Sequence, residues 1–420
     1  MQRGDAVRQV RKFQVRNAAK CIPGLEPGMP GYQRYRRAFN PMEISLGEKL
    51  DEEEPLAYRP GEQSNGLFLV TGGAGAGKTD GLKRIIGELA WQACPVLTVD
   101  VHGDVIAPGQ NDIVLTDGMA AQASVNPLAV TRHGMHWYGL KAKIDQILSL
   151  IERAGGKLGH KQVACFRTML SRAYWACGID EAQPWTWDLP APNFATIAEL
   201  LSREIDQGQN LHDPQTLRDC HSKIDSFAGS RVFNHSNVLS VEQMKAWNLR
   251  LDCSRLSLKA QQVVAETVLQ MIFEEHRAMG SIPVECPRDH ERFRVFVVLD
   301  EAKVLTMSKG DVDRSDHIVN VLATEGRKFG IGLVLASQLE EHFGRETLAN
   351  AACRLAMRSM DNKEAARIAK TMEVPKDTLL GLKDVGAGVY RSGAAGQSVL
   401  VQLDKAEERA QRGQEAAECI

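Results

Sequence analysis

GLFLVTGGAGAGKTDGLKRIIGELA, Gly66 to Ala90, sets a short unbroken apolar run against a glycine cluster, then Lys78-Thr79, then an amphipathic stretch. The run GLFLVT is continuous, short and bounded by glycine, which reads as a buried strand. Leu82, Ile85, Ile86 and Leu89 recur at helical spacing. Between strand and helix, Gly72, Gly73, Ala74, Gly75, Ala76, Gly77, Lys78 and Thr79 fit the pattern G-x-x-x-x-G-K-[ST]. Glycines let backbone N–H groups curl around phosphate oxygens without Cβ clashes. The helix that follows points its positive end at the same oxygens. Lys78 is expected to reach the β- and γ-phosphates, and the Thr79 hydroxyl to bind Mg²⁺. A strand before and a helix after the motif separate this reading, an ATP site with Mg²⁺, from that of a glycine-rich turn.

Working outward, VLTVD (96–100) and DIVLT (112–116) read as further strands, which makes a parallel βαβ unit. Upstream, PMEISLGEKLDEEEPLAYRPGE reads as a strand or two leading inward. Downstream the pattern turns helical. Leu140, Ile144, Ile147, Leu148 and Ile151 mark one face, and Val163, Phe166 and Leu170 another. Asn193 caps a helix from Phe194 to about Gln207, and Asp213-Pro214 opens one with Leu217, Ile224 and Phe227 inward. Strands then resume at 248–252, 293–300 and 331–337, with helices over 257–279 and 313–328. Asp361 with Glu364 forms a capping box, and AGVYRSG with QSVLVQL closes the chain as a hairpin. The expected fold is α/β: a mostly parallel sheet flanked by helices, carrying an all-helical insertion. Its parts are a basic arm (1–42), a first sheet segment with the glycine loop (43–136), the insertion (137–235), a second sheet segment (236–404) and a polar tail (405–420).

Composition narrows the class. A net charge of −2 leaves any nucleic-acid surface to a local patch. Basic residues crowd the first 40 positions against only Asp5 and Glu26, so that arm is either solvated or meets phosphates or a neighbouring subunit. The nine cysteines form no C-x-x-C pair, which fits a reducing cytoplasm better than a disulfide framework. Zinc ligation by His160, Cys165 and Cys177, or by Cys220 and His221, has poor spacing. No run of about 18 apolar residues predicts a membrane span, and the basic N-terminus lacks the apolar core of a signal peptide.

A second site must complete the first. VFVVLDEA ends in Asp300 and Glu301. On a strand beside the loop, Asp300 would anchor the metal and Glu301 would polarise the attacking water. IGLVLASQ places Ser337 and Gln338 at the end of the next strand, where Gln338 should face the γ-phosphate. Arg327, Arg354 and Arg358 are candidates for meeting transition-state charge from a neighbouring subunit. Spacing does not choose among them.

These pieces, in this order, resemble the HerA/FtsK superfamily of RecA-like ring ATPases, which includes HerA helicases and the ATPases of conjugation and type IV secretion. The resemblance covers about residues 43–403. LTVDVHGDV looks like the family's D-x-x-G-[ED] segment, SVNPL like the NPL of the secretion ATPases, and VFVVLDEAKVL followed by LATEGRKFGIGLVLASQ is the most distinctive part. Lys303 departs from the His that HerA-type enzymes often carry there. The resemblance implies a RecA-like sheet, a homohexameric ring with ATP at subunit junctions, and a central pore. Three functions follow. One is a DNA-translocating motor whose pore loops would be 306–316, with Lys309 and Arg314, and the segment around Arg345. The second is a secretion or conjugation ATPase, cytoplasmic or peripheral at the inner membrane, that docks on channel proteins; a nuclease partner belongs to the motor reading. The third is a nucleotide-gated scaffold, disfavoured by Glu301 beside Asp300.

Overall fold

Strands β3 (Leu67–Thr71), β7 (Val295–Leu299) and β8 (Ile331–Ser337) are buried along their whole length. That is what unbroken Val/Leu/Ile runs require when both faces of a sheet are covered. In the computed structural model, which describes residues 41–404 except 53, 208–210, 246–247, 284, 287, 306–316 and 394–395, these strands lie at the centre of one large sheet. Residues 1–40 of the arm, the tail and the expected pore-loop residues Lys309 and Arg314 lie outside the described residues.

The other strands are β1 (Ile44–Lys49), β2 (Pro55–Tyr58), β4 (Val96–Asp100), β5 (Asn111–Val114), β6 (Leu249–Asp252), β9 (Cys353–Met357), β10 (Ala387–Ser392) and β11 (Val399–Leu403). The order across the sheet is β2-β1-β11-β10-β9-β3-β8-β7-β4-β6-β5. From β9 to β5 all neighbours are parallel, and from β9 to β2 all are antiparallel. The fold class read from the sequence therefore holds: a mixed, mostly parallel sheet flanked by helices. The first two strands do not lead inward. β1 pairs with β11 and β2 pairs with β1, so they build the antiparallel end. At Gly47 a Cβ would stand 2.0 Å from Gln402 O, so only glycine passes there.

Side chains alternate between two cores. Leu67, Leu69, Val295, Val297, Leu333 and Leu335 face one, and Phe68, Val70, Phe296, Val298, Val334 and Ala336 face the other. The second core is closed by α1 (Lys78–Trp91) through Leu82, Ile85, Ile86 and Leu89. The first is closed by the helices between β5 and β6, α2 (Arg132–Gly155), α3 (His160–Ala176), α4 (Phe194–Gln207) and α5 (Pro214–Ala228), and by α6 (Leu258–Ala278). The inserted helices thus share one continuous core with the sheet. Their own centre holds Phe194, Phe227 and Phe233, with ring centroids 5.4 to 5.9 Å apart.

Several expected boundaries move. α2 begins at Arg132 and carries non-helical backbone at Gly139 (φ 71°, ψ 176°), so its periodicity becomes regular only from Leu140. The strand expected at 112–116 is Asn111–Val114. Within 313–328 the described helix is α7 (Ile318–Glu325), after which Gly326–Phe329 tightens into a 3₁₀ turn that ends at left-handed Gly330. Asp361 caps α8 (Asn362–Met372), accepting from Lys363 N and Glu364 N at 2.7 and 2.9 Å. The box does not close, because the Glu364 carboxylate accepts instead from Glu340 N at 2.5 Å.

Candidate nucleotide and metal site

Parallel strands in register end on one rim, and here that rim collects the chemistry. Thr71 of β3 stands opposite Ser337 of β8, and Leu299 of β7 stands opposite Leu335 of β8 and Val99 of β4. One or two residues on, the same register sets Asp300 beside Asp100 and Glu301 beside Ser337.

The glycine loop leaves β3 at Gly72 and enters α1 at Lys78 through Gly77, which is left-handed (φ 102°). A Cβ on Gly77 would stand 2.8 Å from Gly386 N, so the close approach requires glycine there. Two backbone bonds pin the loop: Gly73 N donates to Arg358 O at 2.8 Å, and Gly386 N donates to Ala76 O at 3.0 Å. Ala74 and Gly75 are exposed at the tip. Lys78 Nζ donates to Gly72 O at 2.7 Å and Gly73 O at 3.0 Å, folding its ammonium back over the loop. Burial pushes the Lys78 pKa down, and the charges of Glu301 and Asp104 oppose that fall.

The end of β4 builds the second wall. Asp100 is fully buried and accepts from Gly103 N at 2.7 Å, Val105 N at 3.0 Å and Arg250 Nε at 2.7 Å. Those bonds curl residues 100–105 into a turn that presents Asp104. Thr79 Oγ1 donates to Asp104 Oδ2 at 3.3 Å. Asp300 accepts from Val101 N at 2.8 Å and His102 N at 3.2 Å, and its Oδ2 lies 3.0 Å from His102 Nδ1. Burial pushes the Asp300 carboxyl up, against the hydrogen bonds from His102 and Val101. The same partnership with Asp300 raises the His102 pKa. Carboxylate oxygens of Asp100, Asp104 and Asp300 lie within 4.8 Å of one another. An all-oxygen cluster beside a threonine hydroxyl suits a hard divalent cation such as Mg²⁺.

The remaining expected residues divide. Glu301 is buried beside the loop, with Oε1 accepting from Ser337 Oγ at 2.7 Å and Lys303 N at 3.2 Å. Gln338 is exposed at the end of β8. Arg327 is not at the rim. It precedes β8 and donates to Ser64 O ahead of β3, a strand's length or ~17 Å from the loop. Arg354 is half-buried on β9, donates to Leu348 O and lies 4.0 Å from Glu340. Of the three arginines, Arg358 is the one whose backbone touches the loop. Arg345 is exposed at the start of a short helix, Arg345–Asn350.

No family model matches the chain. A segment of 119 residues is 29% identical to the "DNA double-strand break repair helicase HerA" of Sulfurisphaera tokodaii, covering 28% of this chain and 24% of that protein. The chain therefore spans about a quarter of the length of the curated relative it matches. Among solved structures, VirB4 of Thermoanaerobacter pseudethanolicus superposes with a TM-score of 0.67 over 88% of this chain and 98% of that one, at 18% identity. The plasmid coupling protein TrwB in complex with ADP and Mg²⁺ gives 0.55 over 81% and 85%, at 14% identity. The chain has the fold of these two solved structures. Among the described residues, no helix is long and apolar enough to cross a membrane.

Within this fold, sequence reasoning missed Asp104, His102 and His342. Asp104 carried a signal, since it closes the D-x-x-G-[ED] segment, but only the Asp100-centred turn reveals that it reaches Thr79. His342 carried none: it is a single histidine in a polar turn, and its closeness to Glu301 is set by three-dimensional packing.

Proposed function

We propose that this chain binds ATP with Mg²⁺, hydrolyses it, and couples turnover to the movement of DNA within a ring of its own copies, in conjugation or a related DNA-processing event. The observation that carries the reading is the meeting of Lys78, Thr79, Asp104, Asp300 and Glu301 at one sheet rim.

The division of labour follows from each group's chemistry. The loop amides from Gly73 to Thr79 and the α1 N-terminus favour phosphate charge. Lys78 leaves its carbonyl partners for the β- and γ-phosphates, which offer full negative charge in place of dipoles. Thr79, Asp104 and Asp300 would hold Mg²⁺, which when bound neutralises charge on the phosphate oxygens. Glu301, not itself part of the acid cluster, takes a proton from the attacking water. Gln338 orients that water from the end of β8. An arginine from an adjacent copy completes the charge compensation; Arg327, on the opposite rim, is placed for a neighbour better than for its own loop.

DNA as the moving partner is supported by the likeness to a HerA helicase and to a plasmid coupling protein. The test is the steady-state ATPase rate of the full chain with Mg²⁺, alone and with duplex or single-stranded DNA at several salt concentrations. Stimulation that fades steeply with salt is expected for phosphate contacts. ATP turnover indifferent to both forms of DNA would favour a motor acting on protein at a secretion channel.

A further inference from the structure

The turn after β8 sends a histidine back toward Glu301. Ser337, fully buried at the end of β8, donates from Oγ to Glu301 Oε1 at 2.7 Å, and its Oγ lies 2.6 Å from His342 Nδ1. An ionised carboxylate only accepts, so the Ser337 proton belongs to Glu301. Oγ then accepts from His342, which places a hydrogen on Nδ1. The chain of donors runs His342 to Ser337 to Glu301. Burial lowers the His342 pKa, which favours the neutral ring, and Glu301, Glu341, Glu364 and Lys303 are the charged groups around it.

The turn itself is bolted down. Residues Glu340–Phe343 form one 3₁₀ turn. Glu340 N donates to Glu364 at 2.5 Å, and Thr371 Oγ1 donates to Glu340 at 2.6 Å, both partners lying on α8. His342 is therefore held by the scaffold rather than by the site. Among the described residues, the hydrogen bonds Glu301 accepts from Ser337 and Lys303 both fall on Oε1. That arrangement leaves Oε2 for water.

We propose that Ser337 and His342 are positioning residues that anchor Glu301 by Oε1, so that Oε2 is the oxygen that takes the proton from the attacking water. The inference rests on the ATPase reading above. In the step it serves, the water oxygen bonds to the γ-phosphorus, the bond from that phosphorus to the β–γ bridging oxygen breaks with its electrons leaving on ADP, and one water proton passes to Oε2. Misdirecting a reacting group by about an ångström costs about a hundredfold in rate.

The experiment measures kcat and KM for ATP with the full chain and Mg²⁺, together with thermal melting and binding of a non-hydrolysable ATP analogue. Ser337→Ala and His342→Phe are expected to lower kcat about tenfold to a hundredfold with KM, analogue affinity and melting nearly unchanged. Ser337→Thr keeps a hydroxyl and His342→Asn keeps a donor at the Nδ1 position, and both should restore most of the rate. In a Glu301→Gln background, Ser337→Ala should add little further loss, because the group it positions is already gone. A parent-like kcat in both Ser337→Ala and His342→Phe, while Glu301→Gln is inactive, overturns this inference alone. Loss of rate that tracks loss of melting temperature and is not rescued by Thr or Asn also overturns it, in favour of a purely structural role. A parent protein without ATPase activity overturns the reading beneath it and this inference together.

Discussion

Thr79 Oγ1 lies 3.3 Å from Asp104 Oδ2, although 25 positions separate the two residues in the chain. The contact joins the glycine loop to an acid cluster that Asp100 and Asp300 complete. Asp104 is the exposed member, so it is the one that can move onto a metal without breaking the β4 turn. Asp104→Asn should raise the Mg²⁺ concentration needed for half-maximal turnover about tenfold or more, with the apo protein's melting temperature unchanged. A Mg²⁺ titration of ATPase rate reads this directly, and an unchanged half-saturation would remove Asp104 from the metal site.

Lys78 and Glu301 separate binding from chemistry. In the proposed site, Lys78→Ala would remove the charge that meets the phosphates, and among the described residues it loses the hydrogen bonds to Gly72 O and Gly73 O. Nucleotide binding should fall by an order of magnitude or more while the fold persists. Glu301→Gln keeps the side chain's shape and loses its basicity, so it should bind ATP and turn it over about a hundredfold more slowly or worse. Fluorescent-nucleotide binding beside single-turnover hydrolysis distinguishes the two; equal defects in both variants would contradict the assignment.

Much of this was legible in the sequence because the signals were local. The loop, its strand and its helix lie within 25 consecutive residues, and unbroken apolar runs announce strands buried on both faces. Asp300 and Glu301 were readable because they end such a run. What escaped was non-local. β1 and β2 were visible as strands, yet nothing in their residues says that β1 pairs with β11 and carries β2 at the sheet edge. Asp104 and His342 reach the site by a side-chain-built turn and a bolted loop, and neither leaves a periodic trace. The first turns of α2 carry no clear periodicity because the backbone at Gly139 breaks the helical phase there. Arg327 and Arg354 looked alike in sequence, and only burial and partners tell them apart.

Arg354 has partners within its own chain. Its guanidinium donates to Leu348 O and approaches Glu340, whose own carboxyl is pushed up by burial. Arg354→Ala would leave that carbonyl and carboxyl short of a partner, at a cost of about 1–3 kcal/mol in stability. Denaturant melts of the variant should show that loss. If the variant melts like the parent and its rate is restored by mixing with Lys78→Ala subunits, Arg354 acts across a subunit junction instead.

Acid should loosen the protein through His276. This residue is buried on α6, with Nδ1 donating to Ile272 O at 2.8 Å. Burial brings its pKa down to about 4 from an ordinary 6.5, and Lys245 and Arg294 push the same way. Between those two values the unfolded chain binds a proton that the folded chain refuses, so stability rises with pH across that window. The loss on acidification from above pH 6.5 to pH 4 reaches about 3 kcal/mol at most, at about 1.36 kcal/mol per unit. His276→Gln retains a donor for Ile272 O and cannot take up the proton. Urea midpoints of parent and variant at several pH values from 7.5 to 4.5 should therefore converge differently, the parent losing more stability as the pH falls. Parallel curves would show that His276 is protonated alike in both states, and that the acid sensitivity of the fold lies elsewhere.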